Sequence, residues 1–127
     1  MKGTKPHLRE ENVTMDHVMP PEWLAESARK EWDRVMPVLT ERRILTEADL
    51  GGLENYCICI GRVRDMEAGI QNTADPELIL KLARMQDKAM ASARLLAAEL
   101  GLTPVSRSRP AIRNDNPEEG DDPLNIS

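Results

Sequence analysis

Phenylalanine is absent from the sequence, and Trp23, Trp32 and Tyr56 are its only aromatic residues. β-Sheets draw on aromatic and β-branched side chains, whereas Ala, Leu, Met, Glu and Arg, all plentiful here, favour helices. The composition therefore predicts an all-α fold. Cysteine is nearly absent too: Cys57 and Cys59 stand alone. Two residues apart on a helix, they point to nearly opposite sides, which excludes an easy mutual disulfide. With His7 and His17 in a different stretch of chain, no four-ligand zinc set forms either, so no metal is expected and the thiols read as free and partly buried, in a reducing compartment. No apolar run approaches the roughly 20 residues of a membrane span and no leader-like segment opens the sequence, which predicts a soluble intracellular protein with no membrane partner. Excess positive charge is also lacking. Seventeen Lys and Arg face 22 Asp and Glu, a net charge of −5, and no segment is strongly basic. That excludes a protein coated in basic patches. A grip on DNA would have to come from local clusters, or from many copies of one.

What is present is helical periodicity, within a length of 127 residues that fits one domain with tails. Residues 1–19 lack periodicity, hold Gly3 and Pro6, and read as a flexible arm. Pro20-Pro21 opens a first helix whose Leu24, Ala28, Trp32, Val35 and Leu39 make one apolar stripe. Arg29, Lys30 and Arg34 lie off it. Pro37 either kinks this helix or ends it near Met36. Thr40–Leu45 connects to a second helix, opened by a capping box of Thr46 and Asp49. Leu50, Leu53, Cys57, Ile60, Val63 and Ile70 form its apolar face, with Ile58 off that face. Gly51, Gly52 and Gly61 each weaken it by roughly 1 kcal/mol against alanine, so it needs packing partners. After a turn at Gln71–Ala74, Asp75-Pro76 caps a third helix reaching Leu100, and Gly101 ends it as a left-handed cap.

That third helix carries two seams. Leu78, Leu82, Met85, Ala89, Ser92 and Leu96 form one. Ile79, Ala83, Gln86, Met90, Ala93, Ala97 and Leu100 form the other. One seam suffices for an antiparallel hairpin with the second helix. The second, rich in alanine, calls for helix one or a neighbouring subunit. Ile58, Ile79, Ala83, Met90, Ala93 and Ala97 are thus the interface candidates of a homo-oligomer, which would also remedy the marginal core of so small a domain. The expected layout is a flexible arm over 1–19, a helical oligomerisation and DNA-binding domain over 20–104, and a disordered tail over 105–127, acidic between 114 and 123.

No catalytic motif is present: no Gly-rich phosphate loop, no nucleophile elbow, no His-Glu-x-x-His. Glu22, Glu26, Glu31 and Asp33 interleave with Arg29, Lys30 and Arg34 as on an ordinary exposed helix. The chain is therefore not expected to be an enzyme or to need a cofactor. Its basic clusters are Lys2, Lys5 and Arg9 on the arm, Arg29, Lys30 and Arg34 on helix one, Arg42 and Arg43 after it, and Arg107, Arg109 and Arg113 beyond helix three. These are the candidate DNA contacts, against the plainer reading of solvated surface. Trp23 reads as packed beneath the arm, or as an exposed indole near Lys30 and Arg34.

Pro21-Glu22-Trp23-Leu24, Glu31-Trp32, Ile44-Leu45-Thr46-Glu47-Ala48-Asp49 and Tyr56 follow the spacing of the small subunit of phage terminases. The closing run Ala98-Glu99-Leu100-Gly101-Leu102-Thr103-Pro104-Val105-Ser106-Arg107-Ser108-Arg109 resembles that family's most specific signature. The resemblance covers about residues 20–110, with a shorter segment between helices two and three and a less basic arm than many relatives have. It implies a helical protein that assembles into a homo-oligomeric ring in the cytoplasm of the bacterial host. It also implies recognition of double-stranded viral DNA and regulation of a large subunit that holds the ATPase and nuclease. On this reading the apolar Leu124 and Ile126, set in an acidic tail, are candidate contacts for the large subunit. A structural helical adaptor of a phage particle and a dimeric helical DNA-binding regulator are the alternatives.

Overall fold

The structure is a computed structural model that describes residues 16–43 and 45–104. Helix α1 spans Glu26–Arg42, α2 spans Leu50–Gln71 and α3 spans Pro76–Glu99, with a single 3-10 turn at Glu47–Asp49 leading into α2. Among the described residues the fold is all-α, as composition predicts.

Every residue of the α1 stripe, Leu24, Ala28, Trp32, Val35 and Leu39, is buried. The helix nevertheless begins at Glu26 rather than at Pro21. The reason is local: Leu24 N–H closes a turn on the Pro21 carbonyl, and Arg29 Nη2 donates to the carbonyls of Pro21 and Glu22, both at 3.1 Å. Those carbonyls are the ones an earlier helix start would need. Packed structure also starts before residue 20, because Trp32 Nε1 donates to the Val18 carbonyl at 2.8 Å and Val18 lies against the core. Pro37 does not end α1, which continues to Arg42. Pro37 is exposed while Met36 and Leu39 are fully buried, so water can serve the backbone bond proline forfeits and core packing holds both sides.

The capping box forms as expected. Asp49 Oδ2 accepts from the Thr46 backbone N–H at 2.9 Å and from its hydroxyl at 3.0 Å. Asp75 caps α3 by accepting from Glu77 N–H at 3.1 Å. At the far end Gly101 takes φ 75°. Gly101 N–H then reaches the Ala98 carbonyl and Leu102 N–H the Ala97 carbonyl, the paired bonds of a Schellman cap.

Helix α2 is the middle element. It packs against α1 on one side and α3 on the other, and α1 does not pack on α3 among the described residues. The α1–α2 crossing depends on Gly61: a Cβ there would stand 2.8 Å from Ala28 N and 3.1 Å from Ala28 Cα. The glycine that looks like a helix weakness is thus a contact point. On α3 the line facing α2 takes members from both seams. Gln86, Ala93 and Leu100 are buried, and Ile79, Leu82, Ala89 and Leu96 are half-buried. The two seams lie one residue apart, so the helix rotates to centre its buried line between them.

Candidate functional site

Among the described residues a dense polar arrangement forms around a side chain that periodicity places on the surface. Glu31 is completely buried, not exposed with its acidic neighbours. Its Oε2 accepts from Tyr56 Oη and Arg34 Nη2, both at 2.6 Å. Its Oε1 accepts from Arg34 Nε at 2.9 Å and meets Arg64 Nη2 at 3.0 Å. Four donors on two oxygens satisfy the carboxylate, which is the condition for keeping a charge out of water. The angular position of residue 31 carries the signal: it follows Ala28 by three residues and precedes Val35 by four, on the flank of the buried stripe.

The electrostatics follow the geometry. Burial pushes the Glu31 carboxyl up, but the bonds from Arg34 and Tyr56 and the charges of Arg34 and Arg64 outweigh it, leaving the group below its ordinary value. Burial and then the Glu31 bond raise the Tyr56 phenol to about 12. Burial likewise raises the Cys57 thiol to about 12. A carboxylate with its lone pairs spent, a neutral phenol and a protonated thiol offer no general base and no nucleophile. What the cluster does is hold two guanidinium groups at the surface: the Arg34 side chain is 62% exposed and that of Arg64 is 49% exposed.

The predicted DNA contacts fall into distinct settings. Arg29 is half-buried and tied to the turn before α1. Arg42 Nη1 donates to the Gly101 carbonyl at 3.0 Å, joining the end of α1 to the α3 cap. Lys30 is exposed one turn before Arg34, and Arg43 is the exposed left-handed cap of α1, with φ 57°. Helices α1 and α2 bring Arg34 together with Arg64, a residue that sequence reading passes over, on the Glu31 carboxylate. Lys2, Lys5, Arg9, Arg107, Arg109, Leu124 and Ile126 lie outside the described residues.

The interface candidates divide as well. Ala93 is buried within the chain, Ala97 and Ile58 pack against the core, Ile79 and Ala83 are half-buried, and Met90 is exposed. Leu78, Leu80, Met85 and Leu95 are also exposed on α3, Leu95 at 66%. Leu80 and Leu95 belong to neither seam, because a heptad reading assigns them to the outside of a two-helix packing. Trp23, 63% exposed, borders an open groove of about 330 Å³ floored by Ala28, Ile58 and Gly61 and edged by Ser27, Arg62 and Asp65. Ser27 donates to Asp65 across it.

Among the described residues a layer of three helices spends a buried carboxylate on two surface arginines and shows apolar side chains of its last helix to solvent, which defines an all-α protein. The family model for phage terminase, small subunit, matches residues 28–117. That is well over half of the chain, which belongs to this family. The family is generally non-catalytic and serves the packaging of phage DNA. No curated protein and no solved structure matches the chain. Among the described residues no helix is long and apolar enough to cross a membrane, and no group of His, Cys, Asp and Glu is arranged to hold a metal.

Proposed function

We propose that the protein is the DNA-holding small subunit of a packaging motor, working as a homo-oligomeric ring in the cytoplasm of the bacterial host and recruiting the large ATPase–nuclease subunit. The observation that carries the assembly is α3. Among the described residues it packs on α2 alone and leaves Leu78, Leu80, Met85, Met90 and Leu95 exposed, between 40% and 66%. A small monomer seldom leaves so many large apolar side chains of one helix uncovered, and a second copy is the natural cover. With a net charge of −5 per chain, each copy would hold double-stranded DNA weakly and salt-dependently, and a ring would multiply that grip. In this reading residues 20–104 form the assembling unit, residues 1–19 serve as an arm, and residues 105–127 contact the large subunit through Leu124 and Ile126.

The test is the ATPase of the isolated large subunit, measured with the full chain and with a chain truncated at Pro110. The full chain should bind and stimulate the large subunit. The truncated chain should keep its solution mass and lose most of that stimulation. Equal stimulation by both would move the contact to the helices. No association of the full chain with the large subunit would overturn the recruiting role.

A further inference from the structure

We propose that Arg34 and Arg64 form a clamp for a backbone phosphate of nucleic acid, a site that rests on the DNA-holding reading above and assigns it to particular residues. The two side chains come from different helices and meet on one buried carboxylate. Arg34 Nε and Arg64 Nη2 both reach Glu31 Oε1, at 2.9 and 3.0 Å, so these nitrogens stand within about 6 Å of each other, near enough for one phosphate to bridge their guanidinium groups. Two cations so close would separate in water. Glu31, fully buried and fixed by Tyr56, holds them together before any ligand arrives.

The donors left over suit an anion. Arg34 spends Nε and Nη2 on Glu31, and Arg64 spends Nη2. Nη1 of both, and Nε of Arg64, are not used on Glu31, and the side chains are 62% and 49% exposed, with Arg34 also beside the Tyr56 hydroxyl. The cluster carries one net positive charge, because one carboxylate faces two guanidinium groups. Lys30, exposed one turn before Arg34, adds another. Asp65, the nearest acid along α2, is engaged with Ser27. A fixed arginine fork matches the tetrahedral oxygens of a phosphate and reads no base, so the clamp would set the position of the backbone and not the sequence.

The experiment is a salt titration of binding between the full chain and a duplex of about 30 base pairs. Arg64→Gln removes one guanidinium and leaves the Glu31 bonds to Arg34 and Tyr56. It should weaken binding several-fold at low salt and lower the slope of log K against log salt by about 0.9 per contacting subunit. Arg62→Gln, two residues along on the far side of α2, should match the wild type. Unchanged slope in Arg64→Gln while the wild type binds overturns the clamp and leaves the DNA reading standing. Equal losses in both variants also overturn it, as the mark of diffuse charge. No binding by the wild type at low salt overturns the clamp and the reading together. Should Arg64→Gln unfold, the wild-type arginine Nε resonances give the answer. The Arg64 signal should move on addition of duplex while the Arg62 signal stays, and an unmoved Arg64 signal overturns the proposal. Inorganic phosphate at matched ionic strength should move it far less. An equal shift would mark a free-anion site and overturn the backbone assignment.

Discussion

At residue 31 a carboxylate sits without solvent beside Trp32, and four donors decide whether it stabilises or destabilises the chain. Removing one donor leaves a buried charge short of a partner. Tyr56→Phe deletes the 2.6 Å hydroxyl bond to Glu31 and the hydroxyl's contact with Arg34, so it should cost about 1.5–3 kcal/mol in urea unfolding, the range for hydrogen bonds to charged groups. A loss under about 0.5 kcal/mol would mean that the bond is immaterial. The acid limb gives a second check. The Glu31 carboxyl lies below its ordinary value in the folded chain. Its contribution is therefore complete above the unfolded value of about 4.3 and is lost as pH falls through the lower folded value. Urea midpoints measured downwards from pH 7 should fall off below about pH 4, and Glu31→Gln should lack that part of the fall. Little of this was legible in the sequence. The Glu and Arg pattern of α1 is what a solvated helix also shows, and only the third dimension brings Tyr56 and Arg64, 25 and 33 residues away, onto the same oxygens.

Helices were far more legible, because caps and stripes are local. The α1 stripe, the Thr46–Asp49 box, the Asp75 cap and the Gly101 terminus all follow from side-chain chemistry within a few residues. The start of α1 did not, since it depends on Arg29 capturing two carbonyls. The two kinds of glycine in α2 could not be told apart either. A Cβ at Gly61 would press on the α1 backbone, whereas one at Gly51 or Gly52 would meet nothing within 4 Å. Gly61→Ala should therefore destabilise by about 1–3 kcal/mol through forced separation of α1 and α2. Gly51→Ala should be neutral or stabilise by up to about 1 kcal/mol through helix propensity. Thermal unfolding of the two variants, compared side by side, checks this. A Gly61→Ala protein as stable as the parent would contradict the close crossing.

For the whole molecule, the sequence pattern announced a third helix with more apolar surface than one partner can cover, and the structure shows which surface is left. The buried line falls between the two seams, so Ala93, an interface candidate by periodicity, is part of the chain's own core. Ala93→Glu would put a carboxylate between α2 and α3 and upset the hairpin itself, at a cost of several kcal/mol, so it cannot report on an interface. Met85 and Leu95 can, because they are 48% and 66% exposed. The central claim, assembly through the open face of α3, is tested most directly by the solution mass of the full chain beside that of Met85→Glu/Leu95→Glu. The wild type should weigh several times the 14.3 kDa of one chain, and the double variant should fall towards that single mass with its helical circular dichroism intact. A wild type at 14.3 kDa, or a double variant that keeps the full assembly mass, would contradict it.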